Sequence, residues 1–500
     1  MTGHGARSGA QRVRRVLLLT CAAALTCGPA APALAATPTG THDLVVVGAG
    51  TNADDGSPDS QGYVDVRFPD GDTQRLTAAG LGLPPAPAGS DGFGASVAIG
   101  DVNADGLSDL VIGANGYYGD HTAGRAWLVL GGANGFTAAG VRDLNVTHGS
   151  PAEGFRTYGS AVAISVLNDT VSDIWVADPS ATVGGHAMAG RVYRFTFTGP
   201  GDGSGTGTLS AATALDQDTA GVPGTAEAGD LFGAALASSS AGVVVGSPGE
   251  AIGTQKNAGS VYAVTTDGDN GVVTGASAFS QDTKGVPGSA EAGDLFGASI
   301  APGGQAVGAP GEDVGKLKDA GSVQLFRSSG VPGQLRPDRS VTQDSKGVPG
   351  TAEAGDRFGA VVTAGTFTCQ EQSQIAVSAP GEGIGKAARA GSVTLVPGAV
   401  ANSECKSVAL SQGSGLPGTA ETGEATGSTL AVANGDPEAE EDRYDALLVG
   451  VPAESIGTLS QSGRVLLVRF PSRTATSLGP LTGGDQPGAF YGHILGLDAQ

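Results

Sequence analysis

The sequence predicts an all-β fold, a seven-bladed β-propeller in which a half-blade at the N-terminus pairs with a half-blade at the C-terminus. Two observations predict it: the same short signatures recur seven times, and the two ends of the chain carry different halves of the repeat. The composition agrees, because 85 glycines and 27 prolines accompany 40% hydrophobic residues. This favours many short buried strands joined by turns.

The first 35 residues have the pattern of a signal peptide. Four arginines and no acidic residue precede the apolar run 16–25, and an Ala-Leu-Ala cleavage site ends at residue 35. We therefore expect an exported, extracellular protein whose propeller spans residues 36–500. No later stretch is long and apolar enough to span a bilayer.

The charge disfavours two classes of partner. The chain has 27 Lys and Arg against 49 Asp and Glu, a formal net charge of -22. Without the four arginines of the leader, 23 basic residues remain and the charge becomes -26. Nucleic acids and anionic membranes are thus poor partners, whereas cations and basic surfaces are good ones.

Two cysteines lie outside the leader, Cys369 and Cys405. In an oxidising compartment they favour a structural disulfide over a thiol metal site, which would need more ligands. Spacing alone leaves open whether they are neighbours in space.

An aromatic-glycine pair is the first of three repeated signatures. Its seven copies are Phe93-Gly94, Tyr158-Gly159, Phe232-Gly233, Phe296-Gly297, Phe358-Gly359, the degenerate Thr426-Gly427, and Tyr491-Gly492. The second signature is an apolar run that ends in a small-residue turn, at Val47, Ile112, Val176, Val245, Val307, Val377 and Val449. The third opens an alternating strand, at Gly62, Gly124, Gly190, Gly259, Gly321, Gly391 and Gly463.

The order in which these signatures begin and end along the chain predicts a ring. The chain begins with the second signature at Val47 and ends with the first at Tyr491. An open solenoid would leave two half-units with unpaired edges, and it would be expected to carry distinct capping repeats. A ring lets the two halves build one sheet, which removes those edges.

One loop, D-V-N-A-D-G-L-S-D from residue 101 to residue 109, predicts a calcium site. The expected ligands are the side-chain oxygens of Asp101, Asn103, Asp105 and Asp109 and the carbonyl oxygen of Leu107. Gly106 permits the turn, and Ile112 replaces the Glu that a helix-flanked calcium loop requires, so strands are expected on both sides. The competing interpretation is an Asx-rich turn that binds nothing.

Together, the F-G pair, the D-x-N-x-D-G-x-x-D loop and the G-A-P turn resemble the FG-GAP repeats of the integrin α-chain head. The match extends over nearly all of residues 42–500, and the leader and composition resemble those of bacterial secreted proteins. The resemblance implies a seven-bladed propeller with calcium in loops between strands, often used for extracellular recognition or adhesion. The chain is also similar to the propeller portion of glycosylphosphatidylinositol phospholipase D, whose catalytic domain is separate.

The calcium pattern is degenerate in the other repeats. The second repeat keeps only Asp169 and Asp173, at positions five and nine, and is not expected to bind metal. A second, weak cation site near Asp436, Asp442 and Asp445 competes with a solvated acidic loop.

Three successive repeats share the segment Q-D-[TS]-x-G-V-P-G-[ST]-A-E-A-G-D-x-F-G. Its acidic residues, and those of the P-G-E turns, are Glu227, Asp230, Glu250, Glu291, Asp294, Glu312, Glu353, Asp356 and Glu382. They form either an acidic rim for a cationic ligand or a structural part of each blade, and we favour the structural role. The glycine-rich insert 199–207 is expected in a long connection between repeats, and it lacks the strand and helix of a phosphate-binding loop.

The sequence contains neither a G-x-S-x-G elbow nor an H-E-x-x-H helix. The histidines outside the leader are scattered singly, at His42, His121, His148, His186 and His493. The favoured function is a non-catalytic extracellular binding or adhesion module for a protein or polysaccharide ligand. The alternative is a secreted hydrolase, phospholipase-like or glycan-cleaving, with its site at the propeller channel. Non-repeated polar residues gathered at one mouth of the channel would favour the hydrolase, whereas carboxylates repeated in every blade would favour a scaffold.

Overall fold

The computed structural model describes residues 45–49, 62–68, 71–84, 92–115, 124–146, 157–267, 272–329, 334–369, 372–402, 404–433, 444–455, 463–479 and 494–496. These residues form seven separate β-sheets, which confirms the predicted all-β, seven-bladed propeller. The predicted leader and the anchor Tyr491 lie outside the described residues. All described residues belong to one compact unit, residues 38–500.

The first four blades are built from antiparallel strands. Blade 1 contains β1 (Val45–Ala49), β2 (Tyr63–Arg67), β3 (Thr73–Leu76) and, from the other end of the chain, β30 (Ile494–Gly496). Blade 2 contains β4 (Phe93–Gly100), β5 (Asp109–Ala114), β6 (Arg125–Val129) and β7 (Val141–Asp143). Blade 3 contains β8 (Val162–Asn168), β9 (Val171–Asp178), β10 (Arg191–Thr198), β11 (Thr208–Leu209) and β12 (Thr213–Leu215). Blade 4 contains β13 (Ala235–Ser239), β14 (Gly242–Ser247), β15 (Ser260–Thr266) and β16 (Val273–Phe279).

The remaining blades follow the same plan. Blade 5 contains β17 (Ser299–Ile300), β18 (Ala306–Ala309), β19 (Ser322–Ser328) and β20 (Leu335–Val341). Blade 6 contains β21 (Val362–Gly365), β22 (Gln374–Ala379), β23 (Ser392–Pro397), β24 (Val408–Gln412) and the short parallel β25 (Gly415–Leu416). Blade 7 contains β26 (Leu430–Ala433), β27 (Ala446–Val451), β28 (Arg464–Arg469) and β29 (Thr474–Leu478). Short 3-10 helices span Ala138–Gly140 and Pro302–Gly304.

The two ends of the chain meet in blade 1. Strand β30 pairs antiparallel with β1, with Leu495 opposite Val47. It also contacts β4 of blade 2 and β26 of blade 7, and the innermost strands of all other neighbouring blades contact each other in turn. Seven apolar clusters each join two successive blades, and one of them packs Val47 of blade 1 against Leu448 of blade 7.

The aromatic-glycine signature has a structural explanation in these interfaces. Phe232, Phe296 and Phe358 are at most 1% exposed, and each packs between neighbouring blades. The following glycine adopts a left-handed conformation, for example φ 92° at Gly297, where a Cβ would lie 2.6 Å from the carbonyl oxygen of Ser260. Only glycine combines this conformation with so close an approach to a neighbouring backbone.

Antiparallel order gives the ring two distinct faces. The hairpin face carries the turns between the first and second and between the third and fourth strands of each blade. The junction face carries the turns between the second and third strands and the connections between blades. The insert 199–207 joins β10 to β11, which pair directly, so its predicted place in a connection between repeats was wrong. The short β11 was not recognisable within a glycine-rich and threonine-rich stretch.

Cys369 and Cys405 form a disulfide on the hairpin face of blade 6, with Cα atoms 5.4 Å apart. This confirms the predicted structural pairing. Both cysteines are buried, and the bond links the β21–β22 hairpin to the β23–β24 hairpin.

Replacing both cysteines by serine is expected to destabilise the propeller. The bond closes a loop with a sequence separation of 36 residues, and a loop of that size stabilises by about 3 to 4 kcal/mol in the chain-entropy account. Denaturant unfolding of Cys369→Ser/Cys405→Ser against the oxidised parent measures the loss, and the reduced parent, which lacks the bond but keeps both cysteines, is the control. An unchanged unfolding free energy would contradict a stabilising role.

Deleting residues 494–500 is expected to lower the melting temperature of the whole propeller. The deletion removes the strand that pairs with β1 and leaves the innermost edge of blade 1 unpaired. A deletion of residues 497–500, which spares β30, is the matched control. Equal melting temperatures for the two variants would refute a closing role for β30.

Candidate metal site

The predicted calcium loop lies where the sequence placed it, between two strands of blade 2. Strand β4 ends at Gly100 and β5 begins at Asp109, and these two residues are paired in the antiparallel register. The apolar side chains of both strands are buried between blades. Residues 101–108 form the loop between the strands on the hairpin face, and Val102, Asn103 and Ser108 within it are buried. Gly106 has φ 81° and no atom near its hypothetical Cβ, which marks the outer turn of the loop.

The carboxylates of the loop accept hydrogen bonds from its own backbone. The two oxygens of Asp101 accept the amides of Asp105 at 3.1 Å and Gly106 at 2.8 Å. Asp105 Oδ1 accepts the amide of Leu107 at 2.8 Å. Asn103 Oδ1 accepts the amide of Asp105 at 3.1 Å, and Asn103 Nδ2 donates to Asp105 Oδ2 at 3.2 Å. These hydrogen bonds hold the backbone of the loop close to its own acidic side chains.

Asp109 is the most deeply buried ligand candidate, with 0% exposure. Its Oδ2 accepts the amide of Val102 at 2.8 Å, and its Oδ1 accepts the amide of Gly131 at 2.7 Å. Burial raises the pKa of this carboxyl well above its usual value, and the neighbouring charges of Asp105 and Asp101 add to the rise. The pKa of Asp105 is also raised, chiefly by burial and further by the charge of Asp101.

The next blade provides an internal comparison for Asp109. Asp173 occupies the corresponding position at the start of the buried part of β9 and is also 0% exposed. Arg194 of β10 pairs with it, Nε to Oδ2 at 2.7 Å. No Lys or Arg in the described part of the chain forms an ion pair with Asp101, Asp105 or Asp109. In blade 3, where the calcium pattern is degenerate, an arginine neutralises the buried carboxylate. In blade 2, where the pattern is intact, no described Lys or Arg does so.

The donor set of the Asp101 loop suits a hard divalent cation. It offers carboxylate, carboxamide and carbonyl oxygens and no sulfur or imidazole. Each carboxylate oxygen has a second lone pair beyond the one that accepts an amide. Across the described residues no three His, Cys, Asp or Glu side chains form a ready-made metal cluster. Ligation in this loop would therefore draw the carboxylates closer together.

The weaker predicted site in blade 7 falls mostly outside the described residues, since Asp436 and Asp442 are not among them. Asp445 is described, and its Oδ2 accepts the amide of Thr366 at 2.6 Å. This bond ties the start of β27 to the β21–β22 hairpin of blade 6.

The nine repeated acidic residues lie on the junction face, and the three aspartates among them accept backbone amides. Asp230 Oδ2 accepts the amide of Glu227 at 2.6 Å, and the same bond recurs at Asp294 with Glu291 and at Asp356 with Glu353. In blade 7, Glu424 replaces the aspartate and accepts the amide of Glu421 at 2.7 Å. These buried carboxylates close a turn in each copy, as the structural interpretation expected.

A repeated glutamine-glutamate bond joins four of the inter-blade connections to the blade that follows. The side-chain amide of Gln217 donates to Glu250 Oε2, and the pairs Gln281 with Glu312, Gln343 with Glu382 and Gln412 with Glu454 repeat it. Sequence reasoning missed this bond. The available signal was that the glutamine of the Q-D segment and the glutamate after the Pro-Gly turn recur in the same repeats.

Three of these glutamates, Glu250, Glu312 and Glu382, have a pKa raised toward neutral pH and are here called the junction glutamates. Burial, followed by the charge of Asp230, raises the pKa of Glu250 to about 7. The pKa values of Glu312 and Glu382 rise to about 7 for the same reason, with Asp294 and Asp356 as the nearby charges. The carboxyl groups of Glu250, Glu312 and Glu382 are therefore partly protonated near neutral pH.

The model of the FG-GAP repeat family matches residues 93–129, which contain β4, the Asp101 loop, β5 and β6. No curated protein matches the chain significantly in sequence. In the described part of the chain, no helix has the length and apolar character needed to traverse a membrane.

Two solved structures are similar in fold. One is the periplasmic gluconolactonase PpgL of Pseudomonas aeruginosa, at 12% identity and a TM-score of 0.41, covering 89% of this chain and 97% of that chain. The other is the Dos1 propeller, at 12% identity and a TM-score of 0.33, covering 68% of this chain and 63% of that chain. The assignment of the fold rests on the strand pairing of this chain itself.

The junction glutamates are expected to make the propeller less stable as pH rises. Their pKa is higher in the folded chain than the ordinary value of 4.5. Their stabilising contribution is therefore complete below about pH 4.5 and is lost as pH rises through about 7. Thermal unfolding between pH 5 and pH 8 should show a melting temperature that falls with pH across this range.

The triple variant Glu250→Gln/Glu312→Gln/Glu382→Gln is expected to flatten that dependence, because an amide keeps the acceptor and cannot titrate. Glu404→Gln removes one charge from an exposed glutamate and serves as the surface control. The same pH slope in the parent and in the triple variant would show that these glutamates do not titrate as described.

Proposed function

The chain carries an FG-GAP repeat within a seven-bladed β-propeller, and from this premise we propose that it is a secreted, calcium-binding propeller. In this proposal it acts as a non-catalytic extracellular binding or adhesion module for a protein or polysaccharide ligand. Calcium binds in the Asp101 loop, and the ring provides a rigid support for the ligand.

The uncompensated charge of the Asp101 loop carries the proposal. A fully buried carboxylate without a cationic partner is strongly disfavoured in its ionised form. Arg194 is the cationic partner of Asp173. Asp109 has two further aspartates nearby and no cationic partner among the described residues. A bound divalent cation would supply the missing positive charge.

Calcium would be held by Asp101, Asn103, Asp105 and Asp109 through their side chains and by Leu107 through its carbonyl oxygen. The cation supplies charge neutralisation and a fixed meeting point for these oxygens. Asp109 Oδ1 already accepts the amide of Gly131, which follows β6. Fixing Asp109 would therefore also fix the third strand of blade 2, and the hairpin face of this blade would become more rigid.

The arrangement of the other carboxylates supports a binding scaffold. They recur at successive junctions between blades and are engaged by backbone amides or by glutamine. Such repeated contacts stabilise the ring itself. The disulfide is compatible with an oxidising extracellular compartment, and the net charge of -22 favours a ligand with basic groups.

Calcium is expected to raise the melting temperature of the purified protein, and Asp105→Ala is expected to remove most of the gain. The matched control is Asp169→Ala, since Asp169 is exposed and holds the same repeat position in blade 3. Thermal unfolding with calcium or with a chelator measures both variants. A parent protein whose melting temperature does not respond to calcium would refute the metal site, and equal losses in both variants would refute its location.

A further inference from the structure

We infer that the glycine-rich insert 199–207 of blade 3 covers the Asp101 loop of blade 2 and that calcium binding depends on this cover. The inference rests on the proposed calcium site and adds a second blade to it. The insert is a positioning element in this account, because it acts on the ligand side chains and does not supply the acidic ligands.

The insert is anchored at its base within blade 3. The amide of Gly199 donates to the carbonyl oxygen of Thr170 at 2.9 Å, which ties the insert to the β8–β9 turn. At the other end, β11 pairs with the end of β10. Both ends of the insert are thus fixed within blade 3. The middle of the insert, here called the tip, lies between these two ends and contacts the β4–β5 hairpin of blade 2.

The tip contacts two of the predicted ligand residues. Asn103 Nδ2 donates to the carbonyl oxygen of Gly205 at 3.4 Å, across the boundary between blades. The same nitrogen donates to Asp105 Oδ2. Gly205 thus helps to fix the orientation of the Asn103 amide, and that orientation decides whether its oxygen or its nitrogen faces a cation.

The close approach of the tip explains a glycine at position 205. A Cβ there would lie 2.6 Å from Asp105 Oδ2 and 3.3 Å from Asn103 Nδ2. Gly203 has a similar left-handed backbone, φ 74° against 66° for Gly205, but its hypothetical Cβ lies 4.0 Å from the nearest atom, the carbonyl oxygen of Ala104. The two glycines therefore share the same conformational requirement and differ in their contact with the acidic side chains.

The cover also changes the electrostatic surroundings of the loop. It places the carbonyl oxygen of Gly205 beside Asn103 and the Cα side of Gly205 close to Asp105. In this inference the insert excludes water from that side of the loop, which would strengthen the attraction between the carboxylates and a cation. Contacts that orient ligand side chains typically change metal affinity by about 10-fold to 100-fold when they are lost.

The test compares Gly205→Ala with Gly203→Ala in the full chain. Both substitutions introduce an alanine at a left-handed position, so both carry the same backbone strain. Isothermal titration with calcium chloride is expected to show about 10-fold weaker binding for Gly205→Ala and affinity close to that of the parent for Gly203→Ala. Equal affinities in the two variants, with calcium bound by the parent, would overturn the role of the insert and leave the calcium site in place.

Hydrogen exchange of the parent gives a measurement that does not depend on a variant folding. Calcium is expected to slow exchange of the amides in residues 199–207 as well as in residues 101–109. Protection confined to residues 101–109 would overturn the inference. A parent protein that binds no calcium would overturn both the inference and the proposed site.

Discussion

Every blade of this protein completes its apolar core with side chains from its neighbours. The seven clusters each combine strands of two successive sheets, so that no single sheet buries both of its faces alone. A sheet must bury its apolar face against another element to form a stable core. The packing of each blade against the next is therefore the condition for the fold, and the loops that carry chemistry are held in place by this packing.

The acidic residues have three different roles in the propeller. On the junction face, aspartates such as Asp230 close turns by accepting amides, and glutamates such as Glu250 join neighbouring blades through glutamine. In blade 3, Asp173 is balanced by Arg194. In blade 2, three aspartates gather in one loop without a basic partner among the described residues, and the proposed calcium ion takes the place that arginine holds in the next blade.

Much of this arrangement could be predicted from the sequence, because the signatures are periodic. A buried aromatic residue followed by a left-handed glycine lies at five of the described junctions, so the aromatic-glycine pair recurs with the blade. The Asp101 loop was equally recognisable, since its residue types and spacing are local and strands flank it. The disulfide was predicted as a pairing, although its proximity required the β21–β22 and β23–β24 hairpins to lie side by side.

The contacts that sequence reasoning missed are those between segments far apart in the chain. Gln217 and Glu250 are 33 residues apart, and Arg194 reaches Asp173 only through the register of β9 and β10. Asn103 and Gly205 are separated by 102 residues. No local sequence pattern predicts these contacts, because they depend on how neighbouring strands and blades pack against each other.

The pairing of β1 with β30 also constrains how the molecule assembles. Val47 and Leu495 become neighbours only after nearly the whole polypeptide has been made, so blade 1 is completed last even though it contains the earliest strand. Contacts of such long range form slowly, and intermediates with six finished sheets expose an unpaired strand edge. The closed ring is therefore acquired only when β30 has reached β1, whatever the order in which the other six sheets form.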